Sequence, residues 1–412
     1  MDKAPQNELQ FQDRNQNYWQ LASIQSASLG LPGIIVGGQI ASQIGIGKAI
    51  TSVIIGNLIL WMIGLTIISM AAPERDNAIQ ITKRYLGKIG GVVATLFLIL
   101  AFFGWYILQL NSASLVIHDL FHLENSQVRL GAGLGAFIAL LSIGGIRLIK
   151  HFSVIVFPFL FLYVIYTSIK FIPNLHVSTI WDFSFAGIIG IMASTLAGIV
   201  NLPTFFRHSK SNSDSYLALS LMTIFIIIFQ FYSIVAQYSD YSSISVSNNF
   251  DLILLTSFIV LSLMTVNLVN IYFSSAGWET IFPHRKSGTE YVIVGLLGTM
   301  AYTFLQISKP MEFLETMAEN FIGSLGIILL LSFIVKIVVH HRPRPFERIV
   351  SVGCWLFGGI VGTVTQVETM NDSSYSLIIA ICSASIAFLV VIFIEETIWS
   401  FKNAVLAKKE DQ

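Results

Sequence analysis

Long apolar stretches alternate with short polar connections along nearly the whole chain. Several apolar windows reach about twenty residues, enough for a helix to cross roughly 30 Å of hydrocarbon. The connections hold nearly every charged residue, and none is long enough for a soluble domain. The pattern predicts about twelve transmembrane helices, near 21–46, 50–70, 90–117, 128–147, 151–172, 184–206, 215–237, 251–277, 290–307, 319–340, 349–367 and 375–399.

The first predicted helix contains residues that weaken a helix, namely Pro32 and five glycines between Gly30 and Gly45. In lipid, a backbone group that leaves the helical hydrogen-bond pattern needs another partner, so a broken helix is tolerated only inside protein or beside a polar cavity. In transporters, such breaks bind substrate and coupling ion. We expect the pair Gly37-Gly38 to form an unwound binding segment. The alternative is that these small residues let two helices pack closely.

The sixth predicted helix is interrupted in a similar way, by Gly187, Gly190, Gly198 and Pro203 among the polar Ser194, Thr195 and Asn201. Weak helices one and six, five spans apart, are what two inverted five-helix repeats produce, with the two breaks facing each other. Two ordinary flexible helices are the alternative. The predicted fold is an all-α polytopic membrane protein with a 5+5 inverted repeat and two C-terminal helices. Its predicted parts are an N-terminal tail at 1–20, a single transporter domain at 21–399 (repeat one at 21–172, repeat two at 184–340, extra helices at 349–399) and a C-terminal tail at 400–412.

Composition agrees with a membrane protein. Hydrophobic residues make up 54% of the 412, charged residues 11%, and the mean hydropathy is +0.74. The net charge is zero and no basic run indicates nucleic acid as a partner. Cys354 and Cys382 both fall in apolar spans, so the sequence predicts neither a disulfide framework nor a metal cluster.

The positions of lysine and arginine predict the orientation. With the N-terminus in the cytoplasm, nineteen of the 23 Lys and Arg residues fall on the inner side. The outer side receives only Lys48, Arg129, Lys170 and Lys309. Cytoplasmic loops carry an excess of positive residues. We therefore expect a multi-pass protein of the cell (inner) membrane with an even number of spans and both termini cytoplasmic.

Polar side chains in the third span are candidates for binding. Trp105 lies in the middle of this span, and Gln109 follows four residues later on the same helical face. An indole and an amide one turn apart suit a flat heterocycle, which stacks on the first and bonds through its polar edge to the second. An ordinary core aromatic is the other interpretation of Trp105. Asn111 points elsewhere and is predicted to bind a neighbouring helix.

The eighth span places Thr265, Asn267 and Asn270 in an otherwise apolar run. Amides at this depth are costly unless they are hydrogen-bonded, so they indicate a site or a polar contact between helices. No acidic residue lies near the middle of any span. Because a proton relay needs a carboxylate or a histidine in the pathway, we expect sodium before proton as the coupling cation, and no other cofactor.

Several short motifs resemble the cytosine permease branch of the nucleobase–cation symporter family. They are Gly37-Gly38, Ile55-Gly56-Asn57-Leu58, Lys83-Arg84-Tyr85-Leu86-Gly87, Gly104-Trp105, Phe205-Phe206-Arg207 and Thr265-Val266-Asn267. The matches up to Gly104-Trp105 form one gap-free register over roughly seventy residues, and the second half is looser. The resemblance implies the LeuT-like five-plus-five fold and import of a nucleobase such as cytosine, a purine or a pyrimidine, driven by a sodium or proton gradient.

The resemblance also implies roles for individual residues. The tryptophan that matches Trp105 stacks on the base in this family, and the eighth helix gives amide contacts to the base and hydroxyl contacts to sodium. The expected substrate-binding residues are Gly37, Gly38, Trp105, Gln109, Ser194, Thr195, Asn267 and Asn270. The expected cation-binding residues are Gly33 and Val36, through backbone carbonyls, together with Thr265.

Three positions depart from the family pattern. Thr195 stands where the family has an aromatic residue on the far side of the base, and Phe102 stands in place of a glutamine. Val266 likewise replaces the second hydroxyl of the sodium site. The changes at Thr195 and Phe102 argue against cytosine itself as the substrate, while they leave the transport fold untouched. The change at Val266 weakens a sodium site unless backbone carbonyls near Gly33 to Gly38 compensate.

Other functions fit the sequence less well. The spans contain no Ser/His pair, paired aspartates or zinc motif for an intramembrane enzyme, and no substantial loop or tail domain for a receptor. His118 and His122, one turn apart with Glu124 nearby, have metal-ligand spacing but lie at a membrane edge with no third convergent ligand. His340 and His341 open a basic loop that obeys the charge rule. The prediction is a symporter, not an enzyme, that functions as a monomer with a small-molecule substrate and the lipid bilayer as partners. The second candidate is an amino-acid or other small-solute symporter of the same fold.

Overall fold

The computed structural model describes residues 15–122, 126–171, 182–238, 249–281, 288–305, 309–338, 345–369 and 373–410. Within these ranges there are thirteen α-helical segments, of which Pro203–Phe206 is a single turn and Ala78–Phe121 is kinked at Gly87, whose backbone is not helical (φ 74°, ψ −177°). The other twelve are α1 (Tyr18–Ile44), α2 (Ile46–Ala71), α3 (Ala78–Phe121), α4 (Gln127–Leu141), α5 (Gly145–Phe171), α6 (Phe185–Val200), α7 (Asn212–Tyr238), α8 (Asn249–Ile281), α9 (Gly288–Leu305), α10 (Lys309–Val338), α11 (Pro345–Thr369) and α12 (Ser373–Glu410).

These helices make the protein a multi-pass membrane protein. By length and apolar composition, nine segments of the described chain are able to cross a membrane, or ten when the two bent halves of α1 are taken as one span. One segment, 127–169, contains both α4 and α5 with a 3-10 turn at Ser142–Gly144 between them. The predicted all-helical class is confirmed, whereas the predicted number of twelve spans is not.

Helix α1 starts at a well-formed cap and bends in its middle. The Asn17 side chain accepts a hydrogen bond from the Gln20 amide at 3.0 Å, and the Gln20 side chain accepts one from the Asn17 amide at 3.2 Å. The halves Tyr18–Gly30 and Pro32–Ile44 then meet at 48°. Proline lacks an N–H and clashes with the preceding turn, which accounts for a bend at this position.

The expected unwound segment at Gly37-Gly38 is therefore wrong. Both glycines are helical and lie against α7. A Cβ on Gly37 would stand 2.6 Å from the Gln230 carbonyl oxygen, and a Cβ on Gly38 would stand 2.8 Å from Ser233 Oγ. These glycines let the backbones of α1 and α7 approach, which is the packing alternative.

The expected interruption inside helix six is also wrong. Helix α6 is continuous from Phe185 to Val200 and ends at Asn201, just before Pro203. A glycine weakens a helix but keeps its N–H, so the hydrogen-bond ladder persists until a proline follows. Gly187 packs against Ser52 of α2, and a Cβ on Gly198 would reach Leu29 of α1 at 4.0 Å, so α6 still faces α1.

Close contacts divide the chain into two compact units, of which the first comprises residues 1–78 and 98–315. In this unit α1 packs on α7, α2 on α6 and α7, α8 on α1 and α5, and α4 on α9. A buried tyrosine links three of its helices: Tyr106 Oη of α3 lies 3.0 Å from both the Gly135 carbonyl oxygen of α4 and Thr299 Oγ1 of α9. The predicted partner of Asn111 is confirmed, because Gln127 of α4 donates to it at 2.7 Å.

The second unit comprises residues 79–97 and 316–412. Phe97 and Phe321 stack with ring centroids 4.2 Å apart, and the buried Trp355 indole donates to the Phe321 carbonyl at 2.7 Å. Gly358 and Gly362 of α11 contact Ala380 of α12, and these small residues let the two helices pack closely. The proposed division into repeats at 21–172 and 184–340 stays a prediction.

Candidate substrate and cation site

Amide side chains from α3 and α8 meet inside the first unit. Asn270 Nδ2 donates to Gln109 Oε1 at 3.0 Å and to Asn267 Oδ1 at 3.2 Å. Asn267 is fully buried and Asn270 is 5% exposed, whereas Gln109 is half-buried. The structure thus brings together three of the predicted substrate-binding residues, which we call the amide cluster.

The amide cluster has hydrogen-bonding capacity left over. Both amide hydrogens of Asn270 point at acceptors within the cluster. Asn267 Nδ2, by contrast, is buried and has no hydrogen-bond partner among the described residues. A buried donor in this state costs roughly 1–3 kcal/mol relative to a paired one. A ligand that carries an acceptor would remove this cost.

Trp105 lies one helical turn before Gln109 on α3, and it is half-buried. Its neighbour Gly104 has open space beside it, because a Cβ there would meet no atom within 4 Å. None of the ring contacts in the described part of the chain involves Trp105. The indole is therefore not committed to another aromatic side chain.

Phe102 precedes Trp105 by one turn and packs against an aromatic residue of α8. It is 4% exposed, and its ring lies 4.5 Å from that of Phe273 on α8. Phe273 in turn packs edge-on against Phe205, at 5.0 Å. An aromatic contact between α3 and α8 thus occupies the position where the resembling family has a glutamine.

Three backbone carbonyl oxygens lie within hydrogen-bond distance of the Thr265 hydroxyl, one from α1 and two from the preceding turn of α8. Thr265 Oγ1 lies 3.0 Å from the Ala27 carbonyl oxygen of α1, 3.1 Å from the Leu261 carbonyl oxygen and 2.8 Å from that of Ser262. One hydroxyl proton serves only one of these acceptors at a time. Pro32 has no N–H, so the Ser28 carbonyl lacks its usual helical donor. Hard cations such as sodium are held by oxygens of this kind.

The two α1 residues predicted for the cation site lie beyond the bend. Gly33 faces Phe229 and Gln230 of α7, and Val36 is half-buried nine residues after Ala27, about 13 Å along a straight helix. The α1 contact of Thr265 is instead the Ala27 carbonyl. Because the bend falls at Leu31 and not at Gly37, the freed carbonyls lie one to two turns earlier than expected.

The side chains of the two predicted α6 residues, Ser194 and Thr195, are hydrogen-bonded to the backbone of their own helix. Ser194 and Thr195 both donate to the Ile191 carbonyl, at 2.9 and 3.2 Å. Thr195 is 3% exposed. Within the described residues no hydrogen bond joins either side chain to the amide cluster, and Gly37 and Gly38 contact α7 instead.

The weaker metal candidates receive no support in the described part of the chain. No group of three His, Cys, Asp or Glu side chains there has the geometry for a metal ion. His118 Nδ1 lies 3.2 Å from Asp119 Oδ1, while Glu124, His340 and His341 lie outside the described residues.

Comparison with known proteins identifies the fold through solved structures. No protein-family model and no curated protein sequence matches the chain. Mhp1, a nucleobase-cation-symport-1 family transporter in a closed conformation with bromovinylhydantoin bound, has a TM-score of 0.65 at 15% identity, over 93% of this chain and 94% of its own. Mhp1 facing inward gives 0.67 at 16% identity, over 93% and 92%. A Na+-coupled sialic acid symporter, in a substrate-bound outward-open state, gives 0.69 at 13% identity, over 92% and 89%.

The chain has the LeuT-like transporter fold. The TM-scores of 0.65–0.69 establish this fold, and at identities of 13–16% the likeness shows the fold alone. A manganese transporter of Eremococcus coleocola shares the fold at a TM-score of 0.54 and 13% identity, over 97% of this chain and 96% of its own. One fold therefore serves a hydantoin, a sugar acid and a metal ion, so the substrate has to be argued from the side chains.

Sequence reasoning missed one pair of buried amides in this transporter fold. Asn57 Nδ2 of α2 donates to Gln230 Oε1 of α7 at 2.6 Å, and both residues are at most 2% exposed. The signal that singled out Asn267, an amide within an apolar run, applies to Gln230 as well. Ala27, the α1 partner of Thr265, carries no signal, because it contributes only a backbone carbonyl.

Proposed function

We propose that this protein is a cation-coupled secondary transporter that imports a neutral, nucleobase-like heterocycle by alternating access. The observation that carries the proposal is the amide cluster one turn from Trp105. Amides both donate and accept, which matches a ring edge with alternating donors and acceptors. The short motifs around Gly104-Trp105 and Thr265-Val266-Asn267 support a substrate of the nucleobase class.

The polarity of the site supports a neutral substrate. Its three hydrogen-bonding side chains, Gln109, Asn267 and Asn270, are uncharged. An amino acid would bring two charged groups into a low-dielectric interior, where each needs a charged or strongly polar partner. The alternative amino-acid symporter therefore fits these side chains less well than a heterocycle does.

Sodium is the coupling ion that the oxygens around Thr265 support. Thr265 Oγ1 and the Ala27 carbonyl would hold it, together with a carbonyl freed by Pro32. These ligands are neutral oxygens that do not titrate near pH 7, so proton coupling has less support. When bound, the cation would supply positive charge beside the bend of α1.

The placement of the protein in the cell is part of the proposal. The distribution of Lys and Arg supports both termini in the cytoplasm and a location in the cell (inner) membrane. Because one chain supplies the amide cluster and the oxygens around Thr265, a monomer is sufficient for transport. The lipid bilayer and the small-molecule substrate are the expected partners.

Counterflow in proteoliposomes tests the substrate class. Labelled cytosine, a purine, a pyrimidine and an amino acid are offered to the purified protein with and without a sodium gradient. Replacement of Trp105 by alanine should weaken binding of the accepted heterocycle roughly tenfold or more, because one stacking face is worth about 1–3 kcal/mol. Trp105→Phe should retain part of the affinity.

The control is Trp61→Ala, since Trp61 lies on α2 and donates to Ser220, away from the amide cluster. It should leave the affinity within twofold of the parent. If Trp105→Ala binds the accepted solute as tightly as the parent does, α3 is not the stacking platform. Exchange of amino acids but of no heterocycle would favour the second candidate function.

A further inference from the structure

Three basic residues of the second unit lie near the start of α3. Lys336, in the last turn of α10, holds its Nζ 5.7 Å from the centre of the Tyr85 ring on α3. Arg348, in the first turn of α11, lies beside Gly87 of α3, where an added Cβ would stand 3.6 Å from Arg348 Cδ. Lys88 follows Gly87 directly and is exposed. We call Lys88, Lys336 and Arg348 the basic patch.

The kink in α3 places the Arg348 side chain. Gly87 has a positive φ, a conformation that residues with a Cβ rarely adopt, and the Arg348 side chain lies against this point of the backbone. One turn further on, a Cβ at Gly90 would stand 2.6 Å from Val352 Cγ2, so α3 and α11 stay in close contact. Both helices therefore bring their basic residues to the same level.

Within the described part of the chain, no carboxylate neutralises the basic patch. Glu395 and Glu396 of α12 form no ion pair with any of its three members there. Arg348 Nε is buried and has no hydrogen-bond partner among the described residues. A buried donor of a charged group is costly when it has no acceptor. An anion that supplies oxygen atoms to this guanidinium would remove that cost.

Each member of the basic patch is followed by an exposed isoleucine. These residues, Ile89, Ile337 and Ile349, are 75%, 54% and 67% exposed. Successive residues of a helix point about 100° apart, so positive charge and apolar surface adjoin on all three helices. A phospholipid joins a phosphate to acyl chains and so matches both kinds of surface, whereas a free anion matches only the charge.

We propose that the basic patch binds the phosphate of an anionic phospholipid, whose acyl chains cover the adjoining isoleucines. The Arg348 guanidinium and the ammonium groups of Lys88 and Lys336 donate to the phosphate oxygens. The distribution of Lys and Arg assigns this end of the helices to the cytoplasmic side, where anionic lipids attract basic residues next to the membrane. The inference does not depend on the proposed transport function.

Native mass spectrometry of the purified full chain tests the proposal, because it counts bound lipids and gives their dissociation constants. Dioleoyl-phosphatidylglycerol and dioleoyl-phosphatidylcholine are titrated separately, since they share acyl chains and differ in headgroup charge. The parent should bind phosphatidylglycerol at least fivefold more tightly, because one basic residue near an anionic headgroup is worth roughly that factor. Lys336→Gln combined with Arg348→Gln should reduce this preference to less than twofold.

The matched control is Lys150→Gln combined with Lys210→Gln. It removes the same charge on the same predicted side of the membrane, but from the first unit, and should keep the parent preference. Equal losses in the two double variants would mean a general effect of net charge and would overturn the proposal. Equal affinity of the parent for both lipids would do so too.

Inorganic phosphate, added in excess over the lipid, should not displace phosphatidylglycerol from the parent. Displacement would overturn the lipid assignment and identify a site for free anions. If the first double variant shows no cooperative melting transition, Lys88→Gln combined with Lys336→Gln decides by the same comparison, since both side chains are exposed. Neither substrate nor coupling cation is present, so failure here and failure of the transport assignment remain distinguishable.

Discussion

Asn270 uses both hydrogens of its amide to join Gln109 and Asn267, so it determines which hydrogen-bonding atoms of the amide cluster stay unpaired. Gln109 Oε1 and Asn267 Oδ1 each accept one of these hydrogens, whereas Asn267 Nδ2 has no acceptor among the described residues. At the residue scale, the proposed recognition of a heterocycle would therefore depend on the direction of a few N–H and C=O groups more than on their number.

Substitution of Asn270 tests whether its side chain donates the two hydrogen bonds that join the amide cluster. Asn270→Ala removes two donors, and Asn270→Asp replaces them with a carboxylate that faces two carbonyl oxygens. We expect Asn270→Ala to weaken substrate binding by roughly tenfold, about 1–2 kcal/mol, and Asn270→Asp to weaken it further. Calorimetric binding to the purified protein measures both. A stronger effect of alanine than of aspartate would contradict the assigned direction of these bonds.

Thr265 gives a second prediction at this scale. Thr265→Val keeps the shape of the side chain and removes the hydroxyl near the Ala27 carbonyl, so the dependence of uptake on sodium should fall. Thr265→Ser keeps the hydroxyl and should retain that dependence. Both variants are compared by initial uptake rates over a range of sodium concentrations, with the elution profile as a check on folding. If the dependence of uptake on sodium and on pH is unchanged in Thr265→Val, the assignment of a cation site at Thr265 is contradicted.

At the scale of elements, the contact between α1 and α7 determines what the glycines of α1 do. Gly30 and Gly33 leave room for Phe229, Gly37 lies on the backbone of Gln230, and Ser233 Oγ donates to the Ile34 carbonyl. Proline and the glycines therefore have different roles in one helix. Pro32 bends it, and the glycines after it allow the second half to pack without side chains in the way.

A matched pair of glycine substitutions tests this assignment. Gly37→Ala places a Cβ 2.6 Å from the Gln230 carbonyl oxygen, whereas Gly104→Ala places one in open space. The first should destabilise the protein by about 1–3 kcal/mol, which is the usual range for overpacking, and lower its melting temperature. The second should leave the melting temperature unchanged or slightly raised. Equal effects of the two substitutions on melting temperature would contradict the packing role of Gly37.

At the scale of the whole molecule, the arrangement of charge predicts how the chain lies in the membrane. Lys88, expected inside, and Arg129, expected outside, are both exposed. In a background without Cys354 and Cys382, a cysteine at position 88 should react with an impermeant maleimide only in inside-out vesicles. A cysteine at position 129 should react only in intact cells. Reaction of the first from outside would reverse the predicted orientation.

The sequence by itself determined the class of this protein, because a bilayer demands long apolar helices and leaves charge in the loops. It also indicated Gln109, Asn267 and Asn270, since an amide in an apolar span is costly and needs a partner. The motifs around Gly104-Trp105 indicated a fold that the solved transporters share.

Only the tertiary structure decided what depends on neighbours distant in the chain. A glycine in a sequence is equally compatible with an unwound segment and with the close approach of two helices. The packing of α7 against Gly37 and Gly38 shows that these two glycines allow close approach. The partner of Thr265 is a backbone carbonyl, which has no side-chain signature, so Ala27 could not be found by residue type. The pairing of Gln16 with Ser209 joins groups 193 positions apart and is invisible in the sequence for the same reason: main-chain hydrogen bonds are available to every residue except proline, and folding alone selects which of them form.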